Sequence, residues 1–508
     1  MASFFVLFAL GLLIGTRAYD GSRYDNVVAY WGQNSYGATH TDVVNYQQRI
    51  GYYCGDDAVD VFPVAFVDVF FSTGGLPSLN LATCNPTDNA TFSGTLLPDC
   101  SALASDIETC QAAGKLVTIS LGGANGGVGF SSDAQGTAFA QTIWDLFLGG
   151  SSSTRPFGSA VLDGVDLDIE GGGGTGYAAF VTEIRSLASG ASKQYYITGA
   201  PQCVFPDASL GSVINTVAFD AIYVQFYNNP CGLPFFETTS FCRHYTDANV
   251  SFRDNWARTT SPNPNVKVFL GAPAASLAAG TGYQDLATLS SYAVQMRHSF
   301  PSFGGVMLWD EVLFDPLSQA YVNDRYDLGI KNALVAAGGT GFTFPACTAP
   351  AYVAGTAYSG GSQVSYDGYI YEAKYYADDV PSNDPNGDWS AISACAGAGG
   401  SSSSSSSKTT TSTSATSTTH TTTTVTSTTS SASSSPTSGS CAGLAAWSSS
   451  VAYPGGSQVT YNGDSWTSLY WSQASTPGGS AGVWVDDGPC TVSRRDVGRS
   501  SNSRFFRL

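Results

Sequence analysis

Short apolar runs recur along the first two thirds of the chain, at 27–30, 61–67, 116–121, 165–169, 195–199, 221–226, 266–270 and 306–309. Between them lie longer mixed stretches, of which 136–148, 177–187 and 286–298 have helical length. Runs this short and this apolar suit strands covered on both faces, as in a parallel sheet. Eight such strands alternating with helices predict an α/β fold, a (β/α)8 TIM barrel, over 24–340. In that fold the C-terminal ends of the strands build the active site.

One run departs from plain apolarity. From Val165 the chain alternates apolar and acidic residues, which sends Val165, Leu167 and Ile169 to one side of a strand and Asp166, Asp168 and Glu170 to the other. Three like charges on one face raise the pKa of at least one member, which keeps a carboxylic acid protonated near neutral pH. A solvated strand face or a calcium site is the alternative reading. Four glycines, Gly171 to Gly174, follow at once and suit a backbone opening at a cleft mouth.

Past Gly341 the pattern changes and an internal repeat appears. A shift of 95 residues aligns Tyr352 with Trp447, Tyr358 with Tyr453, Tyr366 with Tyr461 and Tyr371 with Trp466. The same shift aligns Tyr375-Tyr376 with Tyr470-Trp471 and Trp389 with Trp484. Cys347 and Cys395 bound one copy, and Cys441 and Cys490 the other. Units this small need a disulfide clamp, so two β modules are expected at 345–396 and 441–490. Tyr366, Tyr371, Trp389 and their counterparts are assigned to the cores. Tyr375, Tyr376, Tyr470 and Trp471 are adjacent pairs that cannot all point inward, and are the binding candidates. The tract 397–440 is nearly all Ser and Thr and reads as an O-glycosylated linker. The basic tail 491–508 reads as disordered or trimmed. At the other end, the apolar run 4–14 followed by Thr16-Arg17-Ala18 reads as a signal peptide, 1–18.

Composition narrows the partners. The formal net charge of −18 argues against nucleic acid and anionic membranes, but not against a neutral polysaccharide or one carrying free amino groups. No other stretch approaches membrane-spanning length. Eleven cysteines point to an oxidising compartment. The four histidines, His40, His244, His298 and His420, lie far apart, so no metal site and no cofactor are expected. Asn89 and Asn249 stand in glycosylation sequons.

The stretch Asp163-Gly164-Val165-Asp166-Leu167-Asp168-Ile169-Glu170 resembles the D-G-x-D-x-D-x-E signature of glycoside hydrolase family 18, the chitinases. Five further segments resemble the same family, in its class III, hevamine-like branch: Tyr30-Trp31-Gly32-Gln33-Asn34, Ser120-Leu121-Gly122-Gly123, Ala200-Pro201-Gln202-Cys203, Val224 to Asn229, and Gly304 to Trp309. The two terminal units resemble chitin-binding modules of carbohydrate-binding families 5 and 12. The resemblance implies disulfides Cys54–Cys110, Cys84–Cys100 and Cys203–Cys231, with Cys242 left over. It also implies a substrate-assisted, retaining hydrolysis in which the substrate's N-acetyl oxygen attacks the anomeric carbon. Glu170 would be the general acid and later the base, and Asp168 would orient the acetamido group. Asp166 would share a proton with Asp168, and Tyr227 would donate to the acetamido oxygen. Trp309 would floor the reacting sugar, while Tyr30, Gln33, Phe66, Gln225 and Asn228 would line subsites. The expected protein is a secreted, extracellular or wall-associated monomer acting on chitin and its oligosaccharides. The alternatives are an inactive lectin or inhibitor, or a hydrolase of N-glycan chitobiose cores or peptidoglycan.

Overall fold

A computed structural model describes residues 19–490 apart from 125–126, 236–245, 314–324, 383, 385–386, 397–440, 442–443, 450, 454–456, 469–471, 474–475 and 479–483. The signal peptide, the Ser/Thr tract, the basic tail, Cys242, Tyr470 and Trp471 therefore lie outside the described residues. The chain divides into two compact units, Met1–Ser405 and Ser406–Leu508.

In the first unit eight parallel strands close a barrel in sequence order. They are β1 (Asn26–Ala29), β2 (Val61–Val67), β3 (Leu116–Gly122), β4 (Gly164–Asp168), β5 (Tyr196–Gly199), β6 (Ala221–Gln225), β7 (Lys267–Pro273) and β8 (Phe303–Trp309). The helices are α1 (Ile50–Tyr53), α2 (Ala104–Ala112), α3 (Asp133–Phe147), α4 (Tyr177–Ala188), α5 (Gly211–Thr216), α6 (Thr246–Thr259), α7 (Leu286–Ser299) and α8 (Tyr326–Ala336). Local chemistry starts two of them. The Ser132 side chain accepts from the Gln135 amide before α3, and Asp285 accepts from Thr288 before α7.

Strand alternation sorts the apolar residues into two clusters. Val27 and Ala29 of β1, with Val165 and Leu167 of β4, pack with helix residues such as Ile143, Phe180 and Ile184. Val28, Val61, Ala65, Tyr223, Phe269 and Met307 pack with one another inside the ring. The acidic side of β4 faces that interior, with Asp166 and Asp168 buried at 0% and 4% exposure, so it is no solvated strand face. Close strand contact at the acid end requires glycine at position 122. A Cβ there would lie 1.9 Å from the Asp168 carbonyl oxygen, and its φ is +127°.

The same unit carries the first copy of the repeat, an antiparallel sheet of β9 (Gln363–Tyr366), β10 (Tyr369–Ala373) and β11 (Trp389–Ala394). The β9–β10 turn is Asp367-Gly368 with φ of 43° and 77°, the positive values of a type I′ hairpin. Tyr371 and Trp389 are buried, whereas Tyr366, assigned above to the core, is 39% exposed because it ends an edge strand beside that turn. The sheet packs on α6. Tyr369 donates to Asp254 Oδ2 at 2.7 Å and accepts from Arg258 Nη1 at 2.7 Å, while Asp254 Oδ1 accepts from the amide and hydroxyl of Ser302.

The second unit holds the other copy. A sheet of β12 (Ala445–Ala446), β14 (Gln458–Tyr461), β15 (Asp464–Ser468) and β17 (Trp484–Pro489) is accompanied by the pair β13 (Ala452–Tyr453) and β16 (Ser472–Gln473). Its hairpin turn is Asn462-Gly463, again with both φ values positive. Trp484 is buried and Trp466 half-buried. Among the described residues five disulfides join Cys54–Cys110, Cys84–Cys100, Cys203–Cys231, Cys347–Cys395 and Cys441–Cys490. Asn89 is half-buried and accepts from the Asn85 amide at 3.1 Å, while Asn249 falls in α6 with its side chain outside the described residues. Among the described residues no helix is long and apolar enough to cross a membrane.

Candidate active site

Asp166 lies deepest of the three carboxyls and is held by three hydroxyls, two from neighbouring strands and one from the residue just past β1. Tyr30 and Ser120 each donate to its Oδ2 at 2.7 Å, and Thr198 donates to Oδ1 at 2.6 Å. Burial raises its pKa, and the three donors oppose that by favouring the anion.

Asp168 closes β4 and accepts from the Gln225 amide at 2.8 Å; the same nitrogen lies 3.5 Å from Glu170 Oε1 and 3.1 Å from the Ala200 carbonyl. Burial first, then the charges of Glu170, Asp166 and Asp207, hold the Asp168 carboxyl well above the usual range, with Gln225 opposing. Glu170 stands two residues past the end of β4 and is exposed at the cleft mouth. The protein still crowds its carboxyl on the inner side, so desolvation raises its pKa; Gln225 opposes, and Asp207 adds to the rise. Desolvation thus outweighs the like-charge crowding that the alternating acids suggest. The glycines beyond Glu170 leave the mouth open: a Cβ on Gly171, Gly172 or Gly173 would meet nothing within 4 Å.

Above the acids is a cleft of about 270 Å³ lined by Gln33, Phe66, Asp68, Asn80, Gly122, Gly123, Ala124, Glu170, Gln225, Tyr227, Asn228, Ala278 and Trp309. Trp309 and Phe66 stack with ring centroids 5.8 Å apart and an interplanar angle of 18°. The Gln33 amide donates to the carbonyls of Ala65 and Asn80 at 2.7 and 2.9 Å, which ties the loop after β1 to β2 and to the loop that follows it. Asn228 takes a left-handed φ of 56° and accepts from the Thr281 amide at 3.1 Å. Tyr227 lies buried at the cleft wall, and burial together with Asp168 and Glu170 keeps its hydroxyl protonated and able to donate.

Seven of the residues singled out in the sequence therefore meet at one cleft: Gln33, Phe66, Glu170, Gln225, Tyr227, Asn228 and Trp309. Asp166 and Asp168 lie beneath it. Tyr30, expected among the subsite residues, is instead buried behind the cleft with its hydroxyl on Asp166. Tyr375 and Tyr376 belong to the first repeat copy and are 55% and 64% exposed. Asp68, Asn80 and Asp207 escaped the sequence reading. Asp207 caps the turn before α5, accepting from the amides of Gln202, Ser209 and Leu210, and only its place in the fold brings it near the acids. Among the described residues no group of three or more His, Cys, Asp or Glu could hold a metal ion.

Residues 26–295 match the model of the glycosyl hydrolases family 18. Over 327 residues the chain is 45% identical to Chitinase 2 of Rhizopus oligosporus, covering 64% of this chain and 55% of that one. It is 40% identical over 349 residues to the endochitinase of Saccharomyces cerevisiae, covering 66% of this chain and 55% of that one. It is 39% identical over 317 residues to Endochitinase 33 of Trichoderma harzianum, covering 61% of this chain and 91% of that one. The chain thus spans little more than half the length of the first two relatives. Among solved structures, the ICChI chitinase from Ipomoea carnea is similar at 31% identity and a TM-score of 0.48, covering 61% of this chain and 99% of that one.

Proposed function

Because the chain belongs to glycosyl hydrolase family 18, we propose that it hydrolyses the β-1,4 bonds between N-acetylglucosamine units of chitin and its oligosaccharides. The observation that carries the reading is the placement of Glu170, with a raised pKa, at the mouth of a cleft with Asp168 and Asp166 buried beneath it. A raised pKa keeps the acid protonated until it meets the glycosidic oxygen.

In the proposed sequence the substrate's acetamido oxygen attacks the anomeric carbon as Glu170 gives its proton to the leaving oxygen. Asp168 steadies the cationic oxazolinium ring, and Tyr227 donates to the acetamido oxygen. Asp166 and Asp168 share the proton that relieves their repulsion. Glu170, now a carboxylate, takes a proton from water, which adds to the anomeric carbon from the face the first sugar left as the bond to the acetamido oxygen breaks and the N-acetyl group is restored. The configuration is thereby retained. No metal or cofactor enters this scheme. Trp309 and Phe66 supply an apolar floor for a pyranose face.

In this reading the protein is secreted or wall-associated and works as a monomer. The two disulfide-clamped copies bind chitin through Tyr375, Tyr376, Tyr470 and Trp471, joined by the Ser/Thr-rich linker.

Glu170→Gln keeps the shape of the side chain and removes its proton. Hydrolysis of chitotetraose should fall by at least the ~10²- to 10⁴-fold typical of general acid–base catalysis, while binding to chitin persists. The wild-type enzyme should release the β-anomer first in a rapid NMR time course. Near-normal turnover by the variant, or early α-anomer, would overturn the proposal.

A further inference from the structure

Asp68 has no part in the mechanism above, yet it lines the same cleft. The backbone fixes it there. On one side Phe66 and Asn80 exchange backbone hydrogen bonds of 3.1 and 2.9 Å; on the other, the Ser78 amide bonds the Val69 carbonyl at 2.8 Å. Phe70 is tied in turn to the Gly127 carbonyl at 3.1 Å. Asp68 thus sits between two bonded rungs of chain, and its position does not depend on a wandering loop.

Its carboxyl is only half satisfied. Oδ1 is shut off from solvent and has no hydrogen-bond partner among the described residues. Burial raises the carboxyl's pKa, and the backbone amides of Asp68 and Val69 only partly offset this. No Lys, Arg or His stands among the residues lining the cleft, while Glu170 lines it and Asp166 and Asp168 lie below. A neutral sugar offers this carboxylate a hydroxyl; a cationic amine offers both donors and charge, and charge-assisted bonds are roughly twice as strong as neutral ones. The whole chain, at −18, adds a field of the same sign.

We propose that Asp68 is a specificity-determining residue that binds a free amino group on a sugar neighbouring the reacting one, so that partly deacetylated chitin is a preferred substrate. The inference rests on the hydrolysis proposed above. The reacting sugar must keep its acetamido group, since that oxygen is the nucleophile, so the amine belongs to another subsite.

The test compares two hexamers, fully N-acetylated and partly deacetylated, across about pH 4 to 8, because the raised pKa of Asp68 sets where its carboxylate forms while the amine is still charged. Products of the mixed hexamer are sequenced by mass spectrometry. The wild-type enzyme should show glucosamine enriched at one fixed position from the cut, and a higher kcat/KM on the mixed hexamer. Asp68→Asn should lower the ratio of the two kcat/KM values about tenfold, the scale of one charge-assisted hydrogen bond, and erase the positional enrichment. Asp68→Glu should restore part of both. A ratio measured within one preparation is independent of the fraction of folded enzyme, so a poorly folding variant still reports. An Asp68→Asn enzyme with unchanged enrichment, or a wild-type enzyme that cleaves the acetylated hexamer but shows no preference, would overturn the role of Asp68 alone. A wild-type enzyme that cleaves neither hexamer would overturn the hydrolysis and this assignment with it.

Discussion

Gln225 is the side chain on which the electrostatics of the acids turn. Its amide donates to Asp168 and reaches Glu170, and in both cases it favours the ionised form against the pull of burial. Gln225→Met keeps the length and removes the donor, so both carboxyls should titrate higher. Glu170 must be protonated to act, and activity is lost as pH rises through its pKa. The alkaline limb of kcat/KM should therefore move to higher pH, by up to about one unit, with a lower maximum. A limb that stays in place or moves down would contradict this account. The row Asp166, Asp168, Glu170 was legible because a two-residue period survives from sequence to strand. Asp68 and Asp207 were not, since each is a lone acid in an irregular segment. The depth of Tyr30 was hidden for a related reason: one aromatic after an apolar run gives no sign that its hydroxyl will meet an acid 136 residues away.

At the scale of elements, the barrel strands announced themselves as apolar runs because a parallel sheet is covered on both faces. Two extend three residues beyond their apolar runs. β7 continues through Gly271-Ala272-Pro273 and β8 starts at Phe303-Gly304-Gly305, where glycine and proline mask strand character. At Gly305 the reason is steric, for a Cβ there would lie 1.9 Å from the Asn26 carbonyl oxygen. The seat of the first repeat copy on α6 was not read from the sequence, although a clue was present. Under the 95-residue shift Tyr369 becomes Asp464, so the second copy lacks the phenol that bonds Asp254. Tyr369→Phe removes a buried hydroxyl and leaves Asp254 Oδ2 with Arg258 at 3.5 Å. Unfolding by denaturant should show a loss of about 1–3 kcal/mol, the range for an orphaned buried partner. Turnover of soluble oligomers should not change, and an unaltered stability would mean the bond contributes nothing.

For the whole molecule, the packing on α6 makes two truncations unequal. A chain ending at 396 keeps Tyr369 and Phe344 against Arg258, whose guanidinium lies 5.5 Å from the Phe344 ring centroid. A chain ending at 340 exposes that face. The longer chain should match full-length enzyme in melting temperature of the barrel and in turnover of soluble oligomers; the shorter should melt several degrees lower. On chitin flakes at low enzyme concentration both should be slower than full length, the shorter by more, because each tethered binding site raises effective concentration at the surface. Equal rates on flakes for all three chains would remove the binding role from both repeat copies. The seat on α6 has a geometric consequence as well. Tyr375 and Tyr376 leave the end of β10, the strand that Tyr369 fastens to α6, so their rings share one frame with the barrel. With those two rings laid flat on a crystal face, the cleft would keep only sliding in two directions and spinning about the surface normal. A search through six coordinates becomes one through three.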